Sequence, residues 1–290
     1  MHARVIAATA AAVLGCVALL SPVHEVRADT AVRPSVIAHR GASAYAPENT
    51  LAAVDRAAGM GVLWVENDVQ RTKDGELVVI HDDTLRRTTD AEQVFPGRAP
   101  WKVKDFTAAE IARLDAGSWF GAAYKGTRVP TLKAYLDRVE RHHQRLLLEV
   151  KNPELYPGVE RQILETLDDE GWLDRRHLTD RLIVQSFSAT ALRTVHRLRP
   201  GVRTGLLGAP AAANLSGYAG YADLINPSHT ALSPAYVDAV HALTGPHGAP
   251  MRVFAWTVDD AATARTVAGY GVDGVITDKA DVVRRALYWY

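Results

Sequence analysis

Cysteine is almost missing from this chain. The one thiol in 290 residues, Cys16, sits inside an apolar run over residues 5–20, behind the basic lead Met1-His2-Ala3-Arg4. A short positive lead, an apolar stretch short for a membrane span and a polar segment with small residues around Ala28 make the pattern of a secretory signal peptide. Residues 1–28 are therefore expected to be removed near Ala28, and the protein to be secreted with no stable membrane insertion afterwards. Lipoprotein attachment at Cys16 is disfavoured, because Leu14 is a poor neighbour for it and apolar residues continue past the cysteine. The mature chain would hold no disulfide, and a core of this size does not need one.

Net charge is missing too. Lysine plus arginine and aspartate plus glutamate number 33 each, so the chain has no electrostatic footprint for nucleic acid or an acidic membrane. There is no Gly-x-Gly-x-x-Gly after the first strand signal, which argues against a dinucleotide-binding open sheet. There is no Gly-x-Ser-x-Gly, which argues against a serine-nucleophile elbow. Internal repeats and low-complexity tracts are lacking. What is present is 48% apolar content, enough for one large domain or two small ones. Oligomeric state leaves no mark in the sequence.

The informative stretch runs over residues 36–83. Three short apolar runs begin at Val36, Val62 and Leu77, and each breaks into polar residues only at its C-terminal end: His39-Arg40-Gly41, Glu66-Asn67-Asp68 and His81-Asp82. Runs this short read as strands. Alternation puts Glu66 and Asp68 on one face with Asn67 opposite. The link Thr72-Lys73-Asp74-Gly75-Glu76 is too short for a parallel crossover and carries an Asp-Gly turn signal. The third run should therefore fold back as a hairpin and bring His81 near the end of the first strand.

A helix is expected over residues 51–58. Residues 83–132 read as an insertion holding a hairpin, a small helix with a Thr107/Glu110 capping box, and irregular loops. Beyond Leu132, helical and strand patterns alternate to the end of the chain. Setting the hairpin strand aside leaves eight strands, starting near residues 36, 62, 146, 182, 203, 224, 253 and 274. That pattern predicts a (β/α)8 TIM barrel over residues 35–288, whose active site belongs at the C-terminal ends of the strands. His39, Arg40, Glu66, Asp68, Glu149, Lys151, Phe187, Asn226 and Trp256 all fall at or near such ends.

Three carboxylates from two strands, Glu66, Asp68 and Glu149, can make an oxygen-rich site for calcium or magnesium; the bland alternative is an ion-paired cluster with Lys151 or Arg40. His39 and His81 suit proton transfer near neutrality. Arg40 offers a planar fork for a phosphate and Lys151 a point charge. One metal, two imidazoles and two cations suit a phosphodiester better than a peptide or a sugar. Trp256 is the aromatic expected to wall the pocket; Trp64, Trp119 and Phe187 are weaker candidates.

The motifs His39-Arg40-Gly41-Ala42, Pro47-Glu48-Asn49-Thr50, Glu66-x-Asp68-Val69, Thr72-Lys73-Asp74-Gly75 and His81-Asp82 resemble, in order and spacing, the glycerophosphodiester phosphodiesterase family, secreted bacterial type. Leu85 with Arg87-Thr88-Thr89, Leu148-Glu149-Val150-Lys151, Gln185-Ser186-Phe187, Trp256-Thr257-Val258 and the stretch from Gly271 to Asp278 extend the likeness. The resemblance implies that His39 and His81 form the acid–base pair. It implies that Glu66, Asp68 and Glu149 bind one divalent cation, calcium ahead of magnesium, with Arg40 and Lys151 at the phosphate. The implied reaction is hydrolysis of a small glycerophosphodiester to sn-glycerol 3-phosphate and an alcohol. Two departures stand out: Asn67, where the family is usually apolar, and Asp259, where asparagine is common. A phospholipase D-like enzyme acting on lysophospholipids or sphingolipids is the rival reading. It wants an exposed apolar rim, and residues 83–132 carry no strong one.

Overall fold

The computed structural model describes residues 1–2 and 33–289. The expected signal segment beyond His2, with Cys16 and the cleavage point near Ala28, lies outside the described residues.

Nine strands form one sheet: β1 Ser35–Ala38, β2 Trp64–Arg71, β3 Leu77–Val79, β4 Arg145–Val150, β5 Leu182–Ser186, β6 Arg203–Leu207, β7 Leu224–Asn226, β8 Arg252–Ala255 and β9 Gly274–Thr277. The strands are ordered β1-β9-β8-β7-β6-β5-β4-β2-β3, and β1 also pairs with β2. Every pairing except β2–β3 is parallel. Eight parallel strands therefore close on themselves, at the eight positions the sequence predicts. β3 turns back against the far end of β2, with Val69 opposite Val79 and Arg71 opposite Leu77. Closure removes the exposed edge an open sheet would leave.

The expected helices appear at Leu51–Gly59, Leu132–Arg141, Val159–Asp169, Ala189–Leu198, Pro234–His241, Ala261–Gly269 and Ala280–Tyr288. Their starts follow from capping side chains: Thr50, Thr131, Ser188, Ser233 and Asp260 each accept a backbone N–H of the first turn. A helix at Arg175–Asp180, capped by Asp174, is additional to the sequence reading. Its six residues are too few to show a helical period.

Residues 80–131, with Val78 of β3, build a small core around Leu85, Phe106, Ile111 and Leu114. The capping box of Thr107 and Glu110 is present at the helix Ala108–Ile111. The hairpin expected in this segment is reduced to one antiparallel bridge, Thr84 with Lys102. With Pro96, Gly97 and Pro100 in the intervening loop, a longer ladder would lack donors and stiffness.

Two apolar layers fix the barrel. The larger lies between the strands and their helices. The smaller cluster comprises Ile37, Trp64, Leu147, Ile183, Leu224, Phe254 and Ile276. Each of these seven has a polar or aromatic residue two positions later: His39, Glu66, Glu149, Gln185, Asn226, Trp256 and Asp278. Period-two alternation thus sets a polar layer directly above an apolar floor.

Candidate active site

The turn after β1 begins the site. Arg40 and Gly41 both have left-handed backbones, φ 56° and 78°. A Cβ on Gly41 would stand 2.6 Å from Ala53 Cβ, so only glycine fits this tight approach to the first helix. The turn aims the Arg40 N–H at Glu66 Oε2, 2.9 Å away. Asn49, also left-handed at φ 58°, locks the loop from the other side. Its backbone N–H donates to the Arg40 carbonyl at 2.9 Å, and its Nδ2 donates to Asp68 Oδ2 at 2.8 Å.

The barrel register places the acids together. Asp68 on β2 lies opposite Glu149 on β4, and one ligand oxygen from each of Glu66, Asp68 and Glu149 lies within 4.8 Å of the others. All three side chains are buried. Burial, then the charge on Asp68, raises Glu66 to about 7, and the same two causes in the same order push Glu149 well above the ordinary carboxylate range. Burial also works against ionisation of Asp68, but Lys151, Arg40 and His81 outweigh it and hold its carboxyl at about 2. Lys151 Nζ lies 3.0 Å from Glu149 Oε1 and 3.4 Å from Asp68 Oδ1. Arg40 Nε lies 3.5 Å from Asp68 Oδ2. The ion-paired cluster is therefore real, yet Asp68 Oδ1, beside Lys151, is buried with no hydrogen-bond partner. Three buried carboxylates within reach of one another, one with an oxygen that makes no hydrogen bond, are a donor set that fits a hard cation.

Both histidines border the same open cavity of about 400 Å³, together with Arg40, Glu66, Glu149, Lys151, Phe187 and Trp256. The back-folding of β3 delivers His81, since the Ile80 N–H donates to the Asp68 carbonyl at 2.9 Å. His39 Nδ1 lies 2.7 Å from Asp278 Oδ1, and His81 Nδ1 lies 2.7 Å from Asp82 Oδ1. Burial lowers the His39 pKa, but Asp278 and Glu66 overcome it and the net direction is up. Ser43 Oγ donates to the same Asp278 oxygen at 2.8 Å. Asp259, flagged as a departure at the rim, accepts the Asp278 N–H at 2.8 Å and the Thr277 hydroxyl at 3.1 Å. It therefore braces the residue that holds His39.

Of the aromatic candidates, Phe187 and Trp256 meet edge to face at the mouth, ring centroids 5.8 Å apart. Trp256 Nε1 is tied to the Asn226 carbonyl at 2.6 Å. Trp64 borders a different cavity, with Arg145 and Tyr288. Trp119 packs on Phe120 in the insertion. Sequence reasoning overlooked the orienting roles of Asp278 and Asp82, and the relay from Asn226 Nδ2 to Gln185 Oε1 at 3.0 Å and from Gln185 Nε2 to Glu66 Oε1 at 3.3 Å. The strand-end rule that found Glu149 would have found Asp278 as well.

The model of the glycerophosphoryl diester phosphodiesterase family matches residues 39–282. The chain is 35% identical over 268 residues to the glycerophosphodiester phosphodiesterase of Bacillus subtilis, spanning 88% of this chain and 86% of that protein. It is 36% identical over 257 residues to the glycerophosphodiester phosphodiesterase of Caldanaerobacter subterraneus subsp. tengcongensis, spanning 86% and 95%. Among solved structures it is similar to an Oleispira antarctica phosphodiesterase in complex with the product sn-glycerol-3-phosphate, with TM-score 0.74 and 30% identity over 88% of this chain and 96% of that one. A match spanning nearly the whole barrel makes this chain a member of the glycerophosphoryl diester phosphodiesterase family and a phosphoric diester hydrolase.

Proposed function

We propose that this enzyme hydrolyses glycerophosphodiesters to sn-glycerol 3-phosphate and an alcohol, with a divalent cation at Glu66, Asp68 and Glu149 and proton transfer by His39 and His81. The observation that carries this reading is that two imidazoles and two cationic side chains border one cavity beside a buried acidic triad. A bound cation there would neutralise charge on the phosphate oxygens, and calcium, with its flexible oxygen coordination, suits three carboxylates better than magnesium does.

The side chains divide the rest of the work. An ionised carboxylate can only accept, so Asp278 and Asp82 hold a hydrogen on Nδ1 of each imidazole and leave Nε2 for chemistry. One imidazole takes the proton of the nucleophile: water, which gives glycerol 3-phosphate directly, or the substrate's own glycerol hydroxyl, which gives a cyclic phosphate that water then opens with the proton roles reversed. The other gives a proton to the alcohol oxygen as its bond to phosphorus breaks. Arg40 and Lys151 hold the phosphate, and Phe187 with Trp256 supplies an apolar wall beside it. The same reading includes export by residues 1–28, which N-terminal sequencing of protein recovered from culture medium tests.

The deciding assay measures glycerol 3-phosphate release from glycerophosphocholine and glycerophosphoglycerol, with EDTA and after adding back calcium or magnesium. Release that EDTA abolishes and calcium restores is expected. Release indifferent to chelation would remove the cation from the reading. Faster turnover of lysophosphatidylcholine than of glycerophosphocholine would replace it with the phospholipase D-like one.

A further inference from the structure

Arg87 stands outside the cavity, in the insertion, yet four of its N–H groups are spent on two carboxylates that serve the site. Nε donates to Asp82 Oδ2 at 2.7 Å and Nη2 to Asp82 Oδ1 at 2.9 Å. Nη2 also donates to Glu48 Oε1, and Nη1 to Glu48 Oε2, both at 2.8 Å. Asp82 is the carboxylate on His81 Nδ1. Glu48 Oε1 is also the acceptor of Arg40 Nη1, at 2.9 Å. One guanidinium thus closes an unbroken chain: His81, Asp82, Arg87, Glu48, Arg40. The two ends of that chain come from different parts of the barrel, one after β3 and one after β1, and nothing in the local sequence sets their separation.

We propose that Arg87 is the positioning residue that fixes His81 and Arg40 relative to each other. This rests on the functional reading above. Two bidentate forks on one planar group hold both carboxylates in its plane. The same group offsets two negative charges beside the place where an anionic phosphodiester must enter. Lysine cannot replace it, because a point charge with rotating donors cannot span both forks. Arg87 also gives the insertion a task in the reaction, since it ties those residues to the acid–base machinery.

The experiment measures kcat and KM for glycerophosphocholine, with calcium present, in wild type, Arg87→Ala and Arg87→Lys, alongside thermal unfolding of each. Loss of an orienting partner of this kind typically costs roughly 10–100-fold in activity. The fall should lie mostly in kcat, and Arg87→Lys should recover only a small part of it. Arg87 is 44% exposed in its side chain, so millimolar guanidinium can reach the vacated position and should restore activity to Arg87→Ala but not to His81→Ala. A kcat for Arg87→Ala within twofold of wild type overturns the proposal. So does full recovery in Arg87→Lys, which would make Arg87 a charge and not a fork. Should Arg87→Ala fail to fold, Arg87→Lys decides by the same criterion. A wild type that releases no glycerol 3-phosphate overturns the functional reading, and the role of Arg87 with it, in the same assay.

Discussion

His39 Nδ1 lies 2.7 Å from Asp278 Oδ1, across the seam where β1 pairs with β9 and the barrel closes. The pairing of β1 with β9, together with Ser43 of the following loop donating to the same Asp278 oxygen, orients this imidazole. Asp278→Asn keeps the size and removes the charge. Its effect on kcat should be roughly 10–100-fold. Asp278 is the main influence raising His39 against its burial, so the midpoint of His39 in metal-free protein should move to lower pH in the variant. Titration of the His39 ring protons by NMR reads this, and an unmoved or higher midpoint contradicts it.

The acidic triad makes stability depend on pH in a stated direction. Glu66 is raised from 4.5 to about 7, and Glu149 is raised as well. Between those values the folded chain keeps a proton on Glu66 that the unfolded chain has released. The resulting contribution is fully present below about pH 4.5 and is lost as pH rises through 7. The depressed carboxylates, Asp68 among them, act below this window and do not mask it. Metal-free protein should therefore melt at lower temperature at pH 8 than at pH 5. Added calcium should raise Tm more at pH 8, where binding displaces fewer protons. Glu66→Gln should flatten the metal-free slope. Calorimetry at the two pH values with EDTA or calcium tests all three statements.

Asn67 carries a stability defect that can be repaired. Its side chain is fully buried, and neither Nδ2 nor Oδ1 has a hydrogen-bond partner. Alternation turns it away from Glu66 and Asp68, toward the apolar layer under the helices. An amide buried without partners costs about 1–3 kcal/mol. Asn67→Leu, of similar shape, should recover a part of that and raise Tm by roughly 2–6 °C, with kcat unchanged. A lower Tm would mean that the amide has partners in solution.

The parts of this molecule that were legible in its sequence are those set by short-range rules. Alternation within β2 was enough to pair Glu66 with Asp68, and the strand-end rule was enough to bring Glu149 to the same mouth. The short Asp74-Gly75 link was enough to fold β3 back and carry His81 to the site. What stayed hidden depends on neighbours remote in the chain: Asp278 lies 239 positions from His39, and Arg87 lies 39 from Glu48. No periodicity announces such contacts; only the closed strand order does. The helix Arg175–Asp180 escaped for the opposite reason, being too short for any period to show, whereas the insertion was legible in its small capped helix and only its hairpin shrank to one bridge. Asn67 and Asp259 were noticed as departures, and the structure separates them: one is an unpaired amide, the other a brace for Asp278.

Two glycines with similar backbones separate strain from collision. Gly41 and Gly75 both have positive φ, 78° and 94°, so either replacement by alanine carries the left-handed penalty of about 1 kcal/mol. At Gly75 nothing lies within 4 Å of the added methyl. Gly75→Ala should then lower Tm by about 2–4 °C and leave kcat alone. At Gly41 the methyl would stand 2.6 Å from Ala53 Cβ and 2.8 Å from the Ala53 carbonyl carbon, and backbone cannot swing aside. The turn must move, and with it the Arg40 N–H that meets Glu66 and the Arg40 carbonyl that Asn49 holds. Gly41→Ala should therefore cost roughly 2–4 kcal/mol and lower kcat by at least about tenfold. Equal Tm shifts in the two variants would show that the loop over Ala53 yields, and that the close approach after β1 does not fix the place of Arg40.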